Sequence, residues 1–273
     1  MHLSIIILNY KKINLVRQQL RSLNEFHLPF SFETIVVDNA SGDQIGVLAK
    51  EFSGVQILPL LWNCGMGAGN NAGLKRAQGE YMLILNPDVI LLPRAIETLC
   101  EFLSKSQRAG IAGPKLLNPD QSLQYSCFRF PRWFTPLFRR THLSRIPMGK
   151  KELNRFAMLD WDHKEARNVD WLQGSALLVR RKALEEAGLF DERFFLFFED
   201  TDWCRRFWQK HWEVVYVPEA QMVHYPQRLS SSDGVWTLFN RLTWIHIASW
   251  IKYFWKWRNQ KVNPNGQISM TNL

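Results

Sequence analysis

Residues 4–8 carry the run Ser4-Ile5-Ile6-Ile7-Leu8, in which three β-branched side chains follow one another without a polar break. Such a run is typical of a strand that is buried on both faces of a parallel sheet. Comparable apolar runs cover residues 33–37, 55–58 and 81–85. Helical patterns lie between them, over residues 15–26, 44–52 and 70–78, and one more follows Pro93. This alternation predicts an α/β fold with a mostly parallel central sheet and helices on both faces.

Polar side chains follow each predicted strand at the point where it ends. In a sheet of this kind, ligands bind at the carboxyl ends of the strands. The residues of interest are therefore those that come directly after each run: Asn9, Tyr10, Asp38, Asn39, Asn63, Asn86 and Asp88. We expect them to meet at one edge of the sheet.

Asp38 ends the second run and is followed by Asn39, Ala40 and Ser41. A carboxylate in this position can accept hydrogen bonds from a nucleotide base or from ribose hydroxyls. It can equally cap the turn that follows. The residue pattern alone leaves both interpretations open.

Glycines alternate through residues 65–73, after the third run. Glycines before a helix let the backbone approach a ligand closely, and the free N–H groups of a helix start attract phosphate. The segment is neither a Walker motif, since no Gly-Lys-Ser/Thr follows, nor a dinucleotide fingerprint, which would follow the first strand. The alternative is a flexible glycine turn with asparagine caps.

Asn86-Pro87-Asp88 ends the fourth run. A carboxylate beside an amide oxygen suits a hard divalent cation that bridges a diphosphate. An Asn-Pro turn capped by the aspartate is the other interpretation. His224, after a later strand, could supply a nitrogen ligand to the same metal, although a lone histidine is more often a packed or surface residue.

Three carboxylates, Glu199, Asp200 and Asp202, follow the aromatic run of residues 194–198. Aromatic rings desolvate a carboxylate and nearby like charges raise its pKa, which suits a general base for a hydroxyl. Acidic residues also favour the first turn of a helix, here predicted over residues 201–210. The i, i+3 spacing of Asp202 and Arg205 predicts a structural ion pair.

The net charge of +9 is regional. Two stretches contain basic but no acidic residues: 121–151 and the part after Asp233. They hold Arg129, Arg132, Arg139, Arg140, Arg145, Lys150, Lys151, Arg241, Lys252, Lys256, Arg258 and Lys261. Without these twelve, 22 basic residues face 25 acidic ones. An anionic partner is expected at these stretches and not over the whole surface.

Four widely spaced cysteines, Cys64, Cys100, Cys127 and Cys204, show no C-x-x-C spacing. This pattern argues against a zinc site and against a secreted disulfide scaffold, so we expect a reducing cytosol. No signal peptide is predicted. Four polar or charged residues interrupt the apolar stretch 236–257, which makes a membrane span too costly.

The periodicity is lost from residue 109 to about residue 167, where prolines punctuate an aromatic and basic stretch. We interpret this part as a long connection or lid. Order returns with a predicted strand over residues 169–179 and a short helix, residues 180–187, that Gly188 closes.

Taken together, these segments resemble the family 2 glycosyltransferases with the Rossmann-like GT-A fold, and among them the bacterial rhamnosyltransferase-like branch. The resemblance covers residues 3–231. Eight segments occur in the family's order: residues 6–10, 36–41, 63–73, 85–88, 171–175, 188–192, 198–202 and 223–225. The order of the eight makes the likeness specific, because each segment by itself is common.

The resemblance implies a role for each motif. The donor nucleotide would be bound by Asn9, Tyr10, Asp38, Asn39, Gly69, Asn70, Asn71, Asn86 and Asp88. Asp88 and His224 would bind Mg²⁺ or Mn²⁺ on the diphosphate. Asp200, beside Glu199, would be the catalytic base, and Trp171, Gly174 and Ser175 would line the sugar or acceptor pocket. Asn86 replaces the first acid of the family's D-x-D motif, which keeps an oxygen ligand but removes a charge.

The implied reaction is an inverting transfer of a sugar from a nucleotide-diphosphate donor to a hydroxyl of a saccharide acceptor. The branch implies L-rhamnose from dTDP-rhamnose, a lipid-linked acceptor and a part in bacterial cell-surface polysaccharide synthesis. A UDP-hexose is the competing donor. A nucleotidyltransferase would want a Lys and an Arg in its glycine-rich loop, which here has none before Lys75.

Nucleic-acid binding is a reading of a different class. The arginines and aromatic rings of residues 128–138 could stack bases and neutralise phosphates. No recognised nucleic-acid module accompanies them, and the acidic donor-site residues would repel a phosphate backbone. We therefore expect no nucleic-acid partner.

The stretch 236–257 combines tryptophans with Arg241, Lys252 and Lys256, which fall along one side of a helix. This composition is typical of a helix that lies on an anionic membrane surface. We expect peripheral attachment to the cytoplasmic face of the inner membrane; the alternative is a helix packed on the catalytic domain. The predicted division is a GT-A domain over residues 1–232, with parts 1–116, 117–168 and 169–232, an amphipathic segment 233–261 and a disordered tail 262–273.

Overall fold

The computed structural model of the chain describes residues 2–225 and 240–260. The strands are β1 (Leu3–Asn9), β2 (Phe32–Asp38), β3 (Val55–Pro59), β4 (Tyr81–Leu85), β5 (Val89–Leu91), β6 (Ala109–Leu117), β7 (Leu123–Gln124), β8 (Cys127–Phe128), β9 (Arg167–Asn168), β10 (Trp171–Leu172), β11 (Ala176–Arg180) and β12 (Glu213–His224). The helices are α1 (Ile13–Glu25), α2 (Val47–Glu51), α3 (Gly65–Arg76), α4 (Ala95–Lys105), α5 (Thr135–Arg140), α6 (Pro147–Phe156), α7 (Arg181–Ala187), α8 (Glu199–Gln209) and α9 (Arg241–Lys256). A 3-10 turn covers His142–Arg145.

The central sheet has the strand order β3-β2-β1-β4-β11-β6-β12-β5. The first four strands in this order run parallel, as predicted, and β11 is antiparallel to both its neighbours. β7 pairs with β6 and β9 with β12, while β8 and β10 form a separate antiparallel pair. Because Asn9 pairs with Asp38, the carboxyl ends of β1 and β2 lie side by side.

Side chains alternate between the two faces of β1. Ile5 and Ile7 belong to a core cluster that includes Val16 of α1 and Leu99 of α4. Ile6 belongs to a second cluster that includes Leu74 of α3 together with residues of α7 and α8. The prediction of helices on both faces of a mostly parallel sheet is therefore confirmed.

Helix α3 begins at Gly65, so the expectation that the glycines precede the helix is wrong. They lie inside it because the helix packs closely on the sheet. A Cβ atom at Gly69 would be 2.6 Å from Leu8 Cδ1, and one at Gly73 would be 2.5 Å from Ile6 Cγ2. The glycines act here as spacers between helix and strand.

The region read as a connection contains more regular structure than the sequence predicts. Its start, β6, is a buried strand between β11 and β12, although small residues and Pro114 hide its pattern. Helices α5 and α6 follow, and buried Glu152 joins them by accepting hydrogen bonds from Thr135 Oγ1 and from Arg155 Nε at 2.9 Å. Phe156 stacks on Phe128, with ring centroids 5.0 Å apart. Residues 109–117 are therefore part of the central sheet, and α5 and α6 pack beside it.

Helix α9 packs on the first turns of α8 and on the aromatic run of residues 194–198, which precedes α8. Tyr253 and Trp257 are buried there, and Ser249 Oγ donates to Leu196 O at 2.8 Å. Residues 236–239, the first part of the predicted helix, lie outside the described residues, as do residues 226–232 and the tail 262–273 that was predicted to be disordered. Among the helices within residues 2–225 and 240–260, none is long and apolar enough to cross a membrane.

Candidate active site

Asn9 organises the ends of β1 and β2. Its Nδ2 donates to Asp38 Oδ1 at 2.8 Å, and it also reaches Asp43 Oδ2 at 3.0 Å. Its Oδ1 accepts from the backbone N–H of Lys12 at 3.1 Å, just before α1 begins. Asp38 is thus held in place at the sheet edge by its Oδ1.

Asn39 connects the end of β2 to the start of α3. Its Oδ1 accepts from the backbone N–H of Cys64 at 2.9 Å, and its Nδ2 donates to Asn63 Oδ1 at 3.0 Å. The predicted strand-end residues Asp38, Asn39 and Asn63 therefore meet at one edge. Tyr10 stands beside them with its ring exposed.

The two asparagines of α3 point into the protein. Asn71 Nδ2 donates to Phe190 O at 3.0 Å, and Asn71 Oδ1 accepts from the Phe190 N–H at 2.9 Å. Asn71 therefore joins α3 to the segment before α8, while Asn70 Oδ1 is buried without a partner among the described residues. The donor-binding role of Gly69, Asn70 and Asn71 stays a prediction.

Asp88 lies at the junction of three chain segments. Its Oδ2 accepts from Lys12 Nζ at 2.7 Å, while its buried Oδ1 lies 3.6 Å from His224 Nε2 and has no hydrogen-bond partner in the described part of the chain. Burial raises the pKa of Asp88, but His224 and Lys12 lower it by more, so the carboxyl is ionised at neutral pH. Lys12 was not singled out by the sequence, since nothing in its neighbourhood indicates a partner that lies 76 residues away.

His224 is oriented by a residue of β7. Its Nδ1 lies 2.6 Å from Gln124 Oε1, and since an amide oxygen can only accept, Nδ1 carries the hydrogen. The other ring nitrogen, Nε2, faces Oδ1 of Asp88. One carboxylate oxygen and one imidazole nitrogen on facing side chains suit Mg²⁺ or Mn²⁺ that takes its other ligands from phosphate and water, with the cation in place of the Nε2 proton. No group of three or more His, Cys, Asp or Glu that could hold a metal occurs within the described ranges.

Asn86 connects β4 to the loop before β11. Its backbone N–H donates to Ser175 O at 2.8 Å, and its own carbonyl accepts from Gln19 Nε2 at 2.9 Å. Ser175 is buried, and Trp171 is largely buried with its ring stacked 4.7 Å from Phe128. Gly174, between them, is half-buried. The pocket-lining roles of Trp171, Gly174 and Ser175 stay predictions.

Asp200 is held by the backbone on both of its carboxylate oxygens. Oδ2 accepts from the N–H of Gly174 at 2.9 Å, and Oδ1 accepts from the N–H of Thr201 at 2.7 Å and from Thr201 Oγ1 at 3.2 Å. A side chain at Gly174 would crowd it, because a Cβ there would lie 3.3 Å from Asp200 Cβ. The loop at Gly174 therefore fixes the orientation of this carboxylate.

Glu199 and Asp200 differ in how their charge is stabilised. Burial raises the pKa of both carboxyls, and for Glu199 the negative charge of Asp200 adds to the effect. Asp200 has the N–H groups of Gly174 and Thr201, which oppose the shift, while Glu199 Oε2 is buried and has no partner among the described residues. We therefore assign the ionised state to Asp200 and the protonated state to Glu199.

The chain reaches these carboxyls through an unusual backbone turn. Phe197 and Phe198 both have positive φ angles, 69° and 67°. Such angles are strained for large side chains and cost on the order of 1–3 kcal/mol each. The turn lets Phe198 cap α8, so that Glu199 and Asp200 stand in its first turn.

The third carboxylate of the motif has a structural role. Asp202 is fully buried and pairs with Arg206 at 3.1 Å and with Lys256 of α9, and it accepts from Trp257 Nε1 at 2.9 Å. The predicted pair with Arg205 is wrong. The helix turns Arg206, four residues on, toward Asp202, while Arg205 stacks over the Trp257 ring at 4.6 Å.

The amino-acid sequence also matches a known protein family. Residues 4–188 match the family model described as Glycosyl transferase family 2. The chain belongs to this family. The predicted family and glycosyltransferase activity are therefore confirmed.

The curated relatives point to the same branch. The chain is 30% identical over 239 residues to N-acetylglucosaminyl-diphospho-decaprenol L-rhamnosyltransferase of Mycobacterium tuberculosis (strain CDC 1551 / Oshkosh), covering 81% of this chain and 76% of the relative. It is 23% identical over 262 residues to rhamnosyltransferase WbbL of Escherichia coli (strain K12), covering 91% of both. This family 2 glycosyltransferase thus falls in the rhamnosyltransferase branch, with relatives in glycan biosynthesis.

Solved structures show the same fold. The mannosyltransferase PcManGT from Pyrobaculum calidifontis, in complex with GDP-Man and Mn²⁺, superposes with a TM-score of 0.56 at 17% identity, covering 83% of this chain and 58% of that one. S. aureus TarS 1-349 gives a TM-score of 0.53 at 16% identity, covering 80% and 60%. The chain thus spans less than two thirds of either solved chain. The predicted GT-A fold is confirmed.

Proposed function

We propose that this glycosyltransferase moves L-rhamnose from dTDP-rhamnose to a hydroxyl of a lipid-linked saccharide, in bacterial cell-surface polysaccharide synthesis. The observation that carries the reaction type is the ionised, backbone-held Asp200 beside the protonated Glu199. The donor and the acceptor rest on the names of the relatives, one of which is an L-rhamnosyltransferase acting on a diphospho-decaprenol acceptor.

The donor would bind at the carboxyl ends of the first strands. Asn9 holds Oδ1 of Asp38, and the other carboxylate oxygen would accept from the base or the ribose. The exposed ring of Tyr10 offers a surface on which a base can stack. Asn39 accepts from the N–H of Cys64, so that the start of α3 would lie on the other side of the bound nucleotide.

Asp88 and His224 would hold the divalent cation. When bound, Mg²⁺ or Mn²⁺ supplies positive charge that stabilises the departing nucleoside diphosphate. Lys12 Nζ already places one positive charge on Asp88 in the structure. Lys12 thereby offsets part of the negative charge at this edge of the sheet. That negative charge is already lower than in the family's motif, because Asn86 stands in place of a second carboxylate.

Asp200 would act as the general base. Its Oδ2 accepts one hydrogen bond, against two at Oδ1, so Oδ2 has the lone pair available for the acceptor proton. As the acceptor oxygen forms its bond to the anomeric carbon, the bond from that carbon to the diphosphate oxygen breaks and the proton moves to Asp200. Attack from the face opposite the leaving group inverts the anomeric configuration.

A panel of nucleotide sugars tests the donor. We expect turnover with dTDP-rhamnose and a diphosphate-linked saccharide acceptor, and much slower turnover with UDP-hexoses. Preference for a UDP-hexose would replace the rhamnose donor and leave the glycosyltransferase reaction intact. An absence of transfer from dTDP-rhamnose to any saccharide acceptor would reject the proposed donor.

We also propose that α9 attaches the protein to the anionic cytoplasmic face of the inner membrane. Trp244, Ala248, Ile251 and Trp255 are exposed at positions that share one face of the helix, and Trp255 is 68% exposed. Arg241, Lys252 and Arg258 border this apolar face. Lys256, which the sequence placed on the same side, turns inward to Asp202, so it does not contribute to this surface.

Vesicle flotation tests this attachment. The full chain should float with vesicles that contain phosphatidylglycerol, and an Ile251→Gln/Trp255→Gln variant should float several-fold less. The matched control is Leu61→Gln/Trp62→Gln, which removes two apolar side chains that are at least as exposed from another part of the surface. Equal flotation of all three proteins, or none by the native chain, would contradict the proposal.

A further inference from the structure

The basic residues of the acid-free stretch 121–151 differ in their partners. Arg129 pairs with Asp170 at 3.3 Å, and Arg132 pairs with Glu152 at 3.5 Å. Arg139 and Arg140, at the end of α5, form no ion pair within the described part of the chain. Among residues 2–225 and 240–260, these two adjacent guanidinium groups therefore have no carboxylate partner of their own.

Both guanidiniums lie on aromatic rings close to the catalytic motif. Arg139 Cζ is 5.1 Å from the centroid of Phe156, and Arg140 Cζ is 6.0 Å from the centroid of Phe197. Phe197 is three residues before Asp200. Burial lowers the pKa of Arg139, and the charge of Asp200 acts in the opposite direction, which places this guanidinium within electrostatic reach of the base.

The neighbouring group on α9 does not neutralise the pair. The His246 ring lies 4.9 Å from Phe197 and 5.4 Å from Phe198. Burial lowers the pKa of His246 to about 3, and the positive charges of Arg140 and Arg139 contribute, so the ring is neutral at physiological pH. The arginine pair thus presents two positive charges, and the charge of Asp200 acts on Arg139.

We propose that Arg139 and Arg140 bind a phosphate group of the acceptor, next to the hydroxyl that Asp200 deprotonates. This inference rests on the proposed function. Guanidinium groups bind phosphate oxygens in a bidentate manner, and two of them match the charge of a diphosphate better than that of a single carboxylate. In an inverting reaction the base and the leaving group lie on opposite faces of the sugar, so cations beside the base contact the acceptor and not the departing nucleotide.

The aromatic rings beside Arg139 and Arg140 orient the two guanidinium groups. A guanidinium that stacks on an aromatic face keeps its edge N–H groups free for a ligand. Phe156 is itself fixed by stacking on Phe128, and Phe197 is fixed by the strained turn before α8. The two cations are therefore positioned before the acceptor binds.

Isothermal titration of the full chain with octyl diphosphate tests the proposal without requiring transfer. We expect the Arg139→Gln/Arg140→Gln variant to bind octyl diphosphate about 100-fold more weakly, because each charge-assisted contact accounts for about tenfold. Binding of UDP and dTDP should not change. The Arg139→Lys/Arg140→Lys variant keeps the charges but loses the planar guanidinium groups. Its affinity for octyl diphosphate should lie between those of the native chain and the glutamine variant.

A charge-matched control separates site binding from net charge. Arg94 and Arg108 form exposed ion pairs with Glu101 and Glu213, and an Arg94→Gln/Arg108→Gln variant loses the same two charges. This variant should bind octyl diphosphate like the native chain. An equal loss in both double variants, weaker nucleotide binding in the Arg139/Arg140 variant, or no binding of octyl diphosphate by the native chain would overturn the proposal.

Transfer assays give a second readout. The native enzyme should prefer a diphosphate-linked saccharide over the neutral octyl glycoside of the same sugar, and the Arg139→Gln/Arg140→Gln variant should lose this preference by raising KM for the phosphate-bearing acceptor. A similar loss with both acceptors would overturn the proposal. An absence of transfer by the native enzyme would instead count against the proposed function, while the binding experiment would still decide the phosphate site.

Discussion

At the scale of single residues, Asp200 and Glu199 are neighbours with different protonation states. The difference comes from backbone donors: Gly174 and Thr201 direct N–H groups at Asp200, whereas Glu199 Oε2 is buried without a partner in the described chain. The sequence identified both residues, because three carboxylates behind an aromatic run are uncommon. It could not assign the donors, since Gly174 lies 26 residues away from Asp200.

An Asp200→Asn variant should lose transfer activity by about 10²–10⁴-fold, because the amide cannot accept the acceptor proton. Folding should be nearly unchanged, since an amide oxygen can still accept from one of the backbone N–H groups. Initial rates with a saturating donor, together with thermal melting, check both statements. Near-native transfer by this variant would rule Asp200 out as the base.

Glu199 should make stability depend on pH. Its pKa in the folded chain is raised by burial and by Asp200, so its contribution to stability is fully present below its ordinary pKa and is lost as pH rises toward the raised value. Each pH unit in this range costs about 1.4 kcal/mol. A Glu199→Gln variant should therefore show a smaller drop in melting temperature from pH 5 to pH 8 than the native chain, and an identical drop would show that Glu199 is not protonated.

If Asp88 binds the cation as proposed, Lys12 would compete with the metal for this carboxylate. Its ammonium lies 2.7 Å from Oδ2. A Lys12→Gln variant should bind Mn²⁺ several-fold more tightly in the presence of UDP, as measured by electron paramagnetic resonance of the free ion. The control is Lys11→Gln, whose ammonium lies instead over the Tyr10 ring at 5.5 Å. Weaker Mn²⁺ binding by the Lys12 variant would show that this lysine supports the metal site.

At the scale of elements, the sequence predicts a helix or strand well where its pattern is local. The first four strands have short, mostly apolar runs, and Gly188, with a φ of 78°, closes α7 as expected. Strand β6 was missed because glycines and a proline replace the expected branched side chains. The sequence predicts the start of α3 too late in the chain. Its glycines allow close packing against Leu8 and Ile6, and the same glycine pattern is also typical of a ligand-binding loop.

Helix α9 shows why the burial of a charged residue is difficult to predict. Lys256 falls on the basic side of the helix by spacing, yet it pairs with Asp202 and Asp191. Asp202 is fully buried and lies 54 residues away along the chain, so its need for a cation is not visible in the sequence of α9. The contact between α8 and α9 therefore determines which way the Lys256 side chain points.

A Lys256→Met variant should lower the free energy of unfolding by about 1–3 kcal/mol, because Asp202 would lose one of its two cations. A Lys252→Met variant is the control, since Lys252 donates to the carbonyl oxygen of Arg193 on the surface and pairs with no carboxylate in the described part of the chain. Urea denaturation at pH 7 compares the two. A loss of the same size in both variants would contradict a special role for the pair with Asp202.

At the scale of the whole molecule, the net charge of +9 is distributed by function. Arg129, Arg132 and Lys256 are used in ion pairs within the protein. We propose that Arg139 and Arg140 bind the acceptor phosphate and that Arg241, Lys252 and Arg258 face the membrane. The fold and the family were predictable from ordered local motifs, whereas this division of the charge required the long-range contacts.

The anomeric configuration of the first product tests the central claim most directly, because a single base on the face opposite the leaving group permits one outcome. Transfer from dTDP-rhamnose to a diphosphate-linked saccharide, followed by NMR of the product before it can equilibrate, reports that configuration. The account predicts a linkage of opposite configuration to the donor. A product that retains the donor's configuration would contradict the assignment of Asp200 as the base of an inverting transfer.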